Sequence, residues 1–587
     1  MTGPQSNSHA GPPNAGPHNT GPHNAGPPAS ATDRARREAR QAFLLVTIAF
    51  CLYSLLSVPT PGVNEPHYLT KARASWDQEY GAEDFFLQSG NAHAVFFAAV
   101  GPLTTRLPLE WVAVLGRLLS LGLLAFAWTR LAGQLRLSPL STLLSAVLFC
   151  LIAMTGNFSG EWVIGGFESK VPAYGSALLA CAAWTKASPD QRPGGFVVCG
   201  IWTGLAIAIH PVVGMWFAIG ICLCEILLLP THARRSGRLT RWFLCGAVYC
   251  LTTVVLSLPG LIPALQLTLL SDVTTDIQNR ANRIQVFGRL SHHLDAASFP
   301  ARAWIHSAVL LTVTTGAWWL LRAQPHSHDK AAQSPQEQGA CGVRQRLLTL
   351  LLVSAAVAVC GAVIGWHAEP YPDIDNWEFK ARWMRYYPFR FADALMPITC
   401  ALMIASLING WQANGRWTRR QQHLGVLAAL LVVAAASYSI RPSAPSGYTA
   451  WKYWHWKQAC HWIRQNTGNN SVFLTPRESF GFKWFAERAE YVCVKDCPQD
   501  APGIVEWNRR LWRQYRWSRD AYQNDSTFDH EDLVRLHAQL GITHIITRRL
   551  GPFADPPVYQ NEVWRVYAVE PDVGPVVDGP AGDARSD

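Results

Sequence analysis

The sequence predicts a polytopic α-helical membrane protein with about 11 transmembrane helices and a C-terminal extracytoplasmic α/β domain. Three observations predict it. Apolar runs of bilayer-crossing length, roughly 17–25 residues each, recur between residues 42 and 438. Basic and acidic residues segregate into alternate connecting loops. Residues 441–587 switch to alternating helix and strand patterns. The composition, 49% hydrophobic and 15% charged, excludes a soluble globular, fibrous or disordered chain over most of the length.

Taken in order, residues 1–40 are expected to form a disordered cytoplasmic tail rich in Gly, Pro and His, with GPHN repeated at 16–19 and 21–24. His9, His18 and His23 read as solvated, and the segment does not read as a secretory signal. Arg34, Arg36, Arg37 and Arg40 precede the first span and place the N-terminus in the cytoplasm. The transmembrane domain covers 41–440, with spans near 42–59, 108–131, 138–155, 173–187, 195–209, 212–230, 242–262, 301–321, 347–366, 389–409 and 421–438. Residues 92–106 are apolar but short and read as a helix at the outer face. Large outer loops cover 60–107, 156–172, 263–300 and 367–388.

Charge placement supports this register. The inner loops collect Arg130 and Arg136, Arg234 to Arg241, Arg344 and Arg346, and Arg416 to Arg420. The outer loops hold most of the acids, among them Glu65, Asp84, Glu161, Glu168, Asp295 and Asp373. The net charge of +10 therefore reflects membrane orientation, not nucleic-acid binding. Of 14 Cys, eleven precede residue 401, mostly within apolar runs where Cys behaves as a small hydrophobe. Cys460, Cys493 and Cys497 lie in the tail and permit at most one internal bridge.

The tail, 441–587, reads as helix 456–466, strand 471–476, helix 480–487, strand 489–495, helices near 503–518 and 530–540, and strands 543–548 and 562–570. Trp451, Trp454 and Trp456 fit an aromatic belt at the bilayer edge. Thr475, Pro476, Arg477, Lys483 and Trp484 follow a strand, where they read either as a ligand-binding loop or as a packing cluster.

Chemistry-bearing residues gather in the outer loops. Glu65 precedes Pro66 at a helix start and reads either as a helix-terminal carboxylate or as a general base or metal ligand. Asp84 and His93 flank the short apolar helix. Gly165 and Gly166 allow close backbone approach beside Glu168 and Lys170, and Lys170 suits a phosphate or a local acid partner. His210 lies between two apolar runs, where an ionisable group is costly. Arg289, His292, His293 and Asp295 bunch together, and the last three could hold a divalent cation. Arg385 and Arg390 head a span and fit a phosphate, unless Arg390 pairs with Asp393 one turn on. No P-loop, dinucleotide fingerprint, HExxH or serine elbow is present.

The long acidic first outer loop, the many spans and the outer α/β tail resemble the class C (GT-C) membrane glycosyltransferases. The stretches NEPHYLTKA, DFFLQS, GGFESK, HPVVG, RLSHHL, YYPFRFAD, FKWFAERAE and KDCPQDAPGIVEW also resemble an uncharacterised family of bacterial multi-pass membrane proteins. The GT-C resemblance implies transfer of a sugar from a polyprenyl-phosphate donor at the outer face of the cytoplasmic membrane. It implies Glu65 as base with Asp84 assisting, and Lys170, Arg289, Arg385, Arg390, His210 and Glu168 around the substrate phosphate. One departure stands out: the first acid of the motif expected there is Asn64. A transporter or flippase of lipid-linked solutes and a non-catalytic scaffold are the alternative readings.

Overall fold

The computed structural model describes residues 31–187, 194–236, 239–268, 272–323, 335–414 and 418–569. Most of the expected tail therefore lies outside the described residues. Residues 31–40 are not tail: they form the first turns of α1 (Ala31–Ser57). The helices that follow are α2 (Glu65–Ala74), α3 (Ala94–Thr104), α4 (Leu109–Gln134), α5 (Pro139–Met154), α6 (Lys170–Lys186) and α7 (Gly194–Ile209). Next come α8 (Pro211–Ser236), α9 (Leu239–Thr268) and α10 (Thr275–Arg283), then a π-helical turn Ile284–Arg289 and the short α11 (Ser291–Leu294). The set continues with α12 (Ala301–Ala323), α13 (Pro335–Gly365), α14 (Trp377–Met384), α15 (Pro388–Asn414) and α16 (Arg419–Ser439).

Every expected span is a helix. Among the described residues, eight helices are long and apolar enough to cross a membrane. The other three, α5, α6 and α7, have 16, 17 and 16 residues. Sequence explains several of the ends. Ser138 caps α5 by accepting from the Ser141 amide, with Pro139 in the first turn. Thr418 and Gln421 form a reciprocal capping box on α16. Helix α3, with 11 residues, is too short to cross, as its sequence predicts.

The spans pack into one apolar core. Helix α7 lies against α6 and α9, α4 against α1 and α6, and α15 against α5, α12 and α13. The tail is an α/β domain built from α17 (Ala450–Asn466), α18 (Phe482–Ala486), α19 (Ala501–Asp525) and α20 (His530–Leu540) around five strands. These are β1 (Val472–Leu474), β2 (Ala489–Glu490), β3 (His544–Thr547), β4 (Tyr559–Gln560) and β5 (Arg565–Ala568), in sheet order β2-β1-β3-β5-β4. Strand β1 runs parallel to β2 and β3, and β5 is antiparallel to β3 and β4. The strand expected over 489–495 is confined to two residues.

The domain is fused to the end of the helical part that carries the first and third large loops. Leu69 of α2, Phe96 and Phe97 of α3, and Val112 of α4 share one buried cluster with Trp456, Phe473, Trp484 and Trp564. Ala281 and Ile284 of the third outer loop join a second cluster with Ile504 and Trp507 of α19.

Candidate functional site

Glu65 opens α2 and is fully buried. Its two oxygens accept from Arg117 Nε and Nη2 at 2.6 and 2.7 Å, and from the Phe167 and Gly62 amides, each at 2.6 Å. Arg117 donates further to the Val58 and Pro59 carbonyls. The carboxylate has four donors and no route to solvent, whereas a general base needs both a free lone pair and access. Its position corrects the catalytic expectation: Glu65 anchors the end of α1, α4 and the second outer loop to one another. The close approach requires glycine, because a Cβ on Gly166 would lie 3.0 Å from the Glu65 carboxyl group. Arg117 was missed, although an arginine inside an apolar run is itself a signal.

Asp84 is also fully buried. It accepts from the Leu87 and Glu490 amides at 2.8 and 2.9 Å and lies 3.6 Å from Lys483 Nζ. Lys483 also meets Glu490 at 2.8 Å and Asp496 at 2.6 Å, and Asp496 receives His67 at 2.8 Å. Burial works to raise the Asp496 carboxyl, but Lys483 and His67 hold it well below the usual carboxylate range. Asp84 thus docks the first outer loop onto the tail domain and does not serve a reacting group. Among the described residues, Glu490, Cys493 and Asp496 are grouped closely enough to hold a cation. The Lys483 ammonium already occupies that charge position.

The metal candidates of the third loop separate. Asp295 caps a short 3-10 turn and meets His367 Nε2 at 3.0 Å, while His293 Nδ1 bonds the Ser159 carbonyl. His292 lies against His293 with ring centres 4.0 Å apart and the rings tilted by 44°. These three side chains do not converge on a common point, so the divalent-cation site expected there is not formed. Arg385 turns to Asn282 Oδ1 at 3.0 Å, and Arg289 donates to the Lys495 carbonyl at 3.1 Å. Cys493 and Cys497 are both free.

The remaining expected residues do meet. Arg390 Nε lies 2.7 Å from Glu161, and Lys170 Nζ lies 3.4 Å from Glu161 and 3.7 Å from Glu168. Arg390 therefore pairs across loops with Glu161 rather than with Asp393, which instead accepts from the Phe158 and Ser159 amides at 2.8 Å each. Glu168 also accepts from Trp162 Nε1 at 2.6 Å and from Asn64 Nδ2 at 2.8 Å. Lys170 stands over the Trp162 ring, and Arg390 over Tyr387, a non-glycine residue held at φ 57°. A left-handed tyrosine beside a charge cluster is backbone strain of the kind that gathers at functional sites.

His93 and His210 close the cluster, with ring centres 4.7 Å apart and Tyr68 against His93. Burial, helped by the charges of His67 and Arg390, lowers His93 to about 3, so the ring is neutral at pH 7. Its Nδ1 is buried without a partner. For Glu161 burial acts upward, but Arg390 and Lys170 dominate and hold the carboxyl below its ordinary value. Above the cluster, Lys495 is close enough to feel Glu168 and Lys170; burial and the Arg289 guanidinium lower its ammonium. Glu161 was expected only as an outer-loop acid, because nothing local in the sequence marks its partners.

Residues 455–514 match a domain of unknown function (DUF6798), spanning most of α17 to the middle of α19. No curated protein sequence matches the chain. Among solved structures the chain is similar to the Archaeoglobus fulgidus oligosaccharyltransferase in complex with zinc and sulfate. That likeness covers 86% of this chain and 67% of that one, at 13% identity and a TM-score of 0.43. The chain is also similar to ArnT from Cupriavidus metallidurans in the apo state, over 92% of this chain and 99% of that one, at 12% identity and a TM-score of 0.36.

Proposed function

We propose that this chain is a multi-pass membrane glycosyltransferase that moves a sugar from a polyprenyl-phosphate donor to an acceptor at the outer face of the cytoplasmic membrane. The observation that carries the reading is the buried set Glu161, Glu168, Lys170 and Arg390, assembled from the second outer loop and the heads of α6 and α15. Unlike the Glu65–Arg117 and Lys483 sets, this one stands beside a left-handed Tyr387 and a buried His93 Nδ1 without a partner, features that gather at functional sites. A phosphate carries more charge and more acceptor oxygens than the Glu161 carboxylate, so it can engage the Arg390 fork and the Lys170 ammonium together.

On this reading the donor phosphate displaces Glu161 from the two cations. Glu168 accepts two hydrogen bonds where Glu65 accepts four, and it loses Lys170 to the incoming phosphate, so it takes the role expected of Glu65; its carboxylate is held against Asn64, the position where the resemblance expects an acid. The acceptor hydroxyl gives its proton to Glu168, its oxygen bonds the anomeric carbon, and the bond from that carbon to the phosphate oxygen breaks. The departing phosphate keeps the electron pair, and Lys170 and Arg390 balance its charge. The N-terminus lies in the cytoplasm and the tail domain outside.

The test uses purified full-length protein and a panel of polyprenyl-phosphate sugars. Wild type should bind one donor, Arg390→Ala should lose it, and Glu168→Gln should bind it without transfer. Absence of binding across the panel, or full transfer by Glu168→Gln, overturns the assignment.

A further inference from the structure

A cavity of about 400 Å³ lies in the tail domain. Its walls come from the segment after β1, with Thr475 and Arg477, the segment after β3, with Arg548 and Arg549, and the approach to and first turn of α17, with Tyr448 and Lys452. The sheet order explains the cavity. From β1 the chain passes through α18 to β2 on one side, and later through α19 and α20 to β3 on the other. Parallel neighbours whose connections leave in opposite directions open a crevice beyond their carboxyl ends, where α/β domains bind ligands.

The charge of the crevice is one-sided. Lys452, Arg477, Arg548 and Arg549 face it, with Glu478 the one acid in its lining. Among the described residues none of these four cations has a carboxylate partner within salt-bridge distance. Gln514, also in the wall, donates to the Thr475 carbonyl at 2.9 Å and leaves its Oε1 buried without a partner. The volume falls within the range of small-ligand pockets. Three guanidinium groups in one crevice suit a phosphate, which they can bind through paired N–H donors.

We propose that this crevice binds a phosphate-bearing ligand, independently of the transferase site. Lys452 sits on α17 between Trp451 and Trp454, both about half exposed, and α17 begins 11 residues after α16 ends. Such a tether spans at most about 36–40 Å when fully extended. The phosphate can therefore come from a lipid headgroup or from a free phosphorylated molecule, and the test separates the two.

The experiment titrates inorganic phosphate and dihexanoyl phosphatidate into full-length protein in detergent, by calorimetry. The starting chain carries Arg390→Ala, which removes the other expected phosphate site, and is compared with the same chain carrying Arg477→Gln and Arg548→Gln. Each lost charge-assisted bond should weaken binding about tenfold or more. Binding of both probes, weakened at least tenfold by the two Gln substitutions, assigns a free-phosphate site. Binding of phosphatidate alone, with the same sensitivity, assigns a headgroup site. No binding of either probe, or equal binding by both chains, overturns the proposal. Arg549→Ala, at an exposed position, should weaken the same titration and serves if the doubly substituted chain does not fold.

Discussion

Replacing Glu65 with Gln separates an anchoring carboxylate from a catalytic one. The side chain has no exposure, and all four of its contacts lie at 2.6–2.7 Å. Glutamine keeps the volume but removes the charge, leaving Arg117, itself 1% exposed, as a buried cation without its counter-ion. Breaking one side of such a pair costs about 3–5 kcal/mol. The new amide NH2 also faces at least one donor, adding the cost of an unsatisfied buried group, roughly 1–3 kcal/mol. Thermal unfolding followed by tryptophan fluorescence should therefore show a large loss of stability. Glu65→Gln combined with Arg117→Met should recover part of it, because the stranded charge is gone. A Glu65→Gln protein that melts like wild type yet transfers no sugar refutes the anchoring role and returns Glu65 to the chemistry.

Other outcomes follow from the same geometry. Lys483→Met leaves Asp84, Glu490 and Asp496 facing one another without a cation, so limited proteolysis should release the tail domain where wild type resists. His93 is lowered to about 3 in the folded chain, against about 6.5 when unfolded, so the unfolded state binds the extra proton and stability falls as pH drops below about 6.5. Between pH 7.5 and pH 5 this contributes a loss of about 2 kcal/mol, and His93→Asn should flatten that part of a stability–pH curve. Gly116→Ala would place a methyl group 2.1 Å from the Phe167 ring and should cost about 1–3 kcal/mol in unfolding measurements.

The helical framework was legible because each span needs a long apolar run, and such runs survive any detail of packing. Strand β4 was not legible, since two residues carry no alternation to read. Within the site, Lys170, His210, Glu168 and Arg390 could be singled out because ionisable groups at the edge of an apolar helix are expensive and need a reason. What the sequence does not encode locally is direction. Arg289 and Arg385 look equivalent to Arg390 in composition and position, yet they turn toward Lys495 and Asn282. Glu161 and Glu65 are both outer-loop acids, and only the fold decides that one meets two cations, Lys170 and Arg390, and the other the single Arg117.

The junction between the first outer loop and the tail domain also constrains topology by parity. Asp84 bonds the Glu490 amide, so both segments lie on the same side of the bilayer, and the chain between them must cross it an even number of times. Among the described residues, seven of the eight long helices fall in that interval, an odd number. At least one shorter helix must therefore cross as well. Asn64 touches Glu168, which returns the second loop to the same side and requires α5 to cross after α4. His93 touches His210, so α6 and α7 cross together or not at all. Arg346, in the first half of α13, bonds the Trp184 and Ala187 carbonyls at the far end of α6 from Lys170. The 17 residues of α6 rise about 26 Å, and α6 runs from the charge cluster to the opposite end of α13. With α6 and α7 counted as crossing, the interval holds ten crossings, an even number, as the Asp84–Glu490 contact requires.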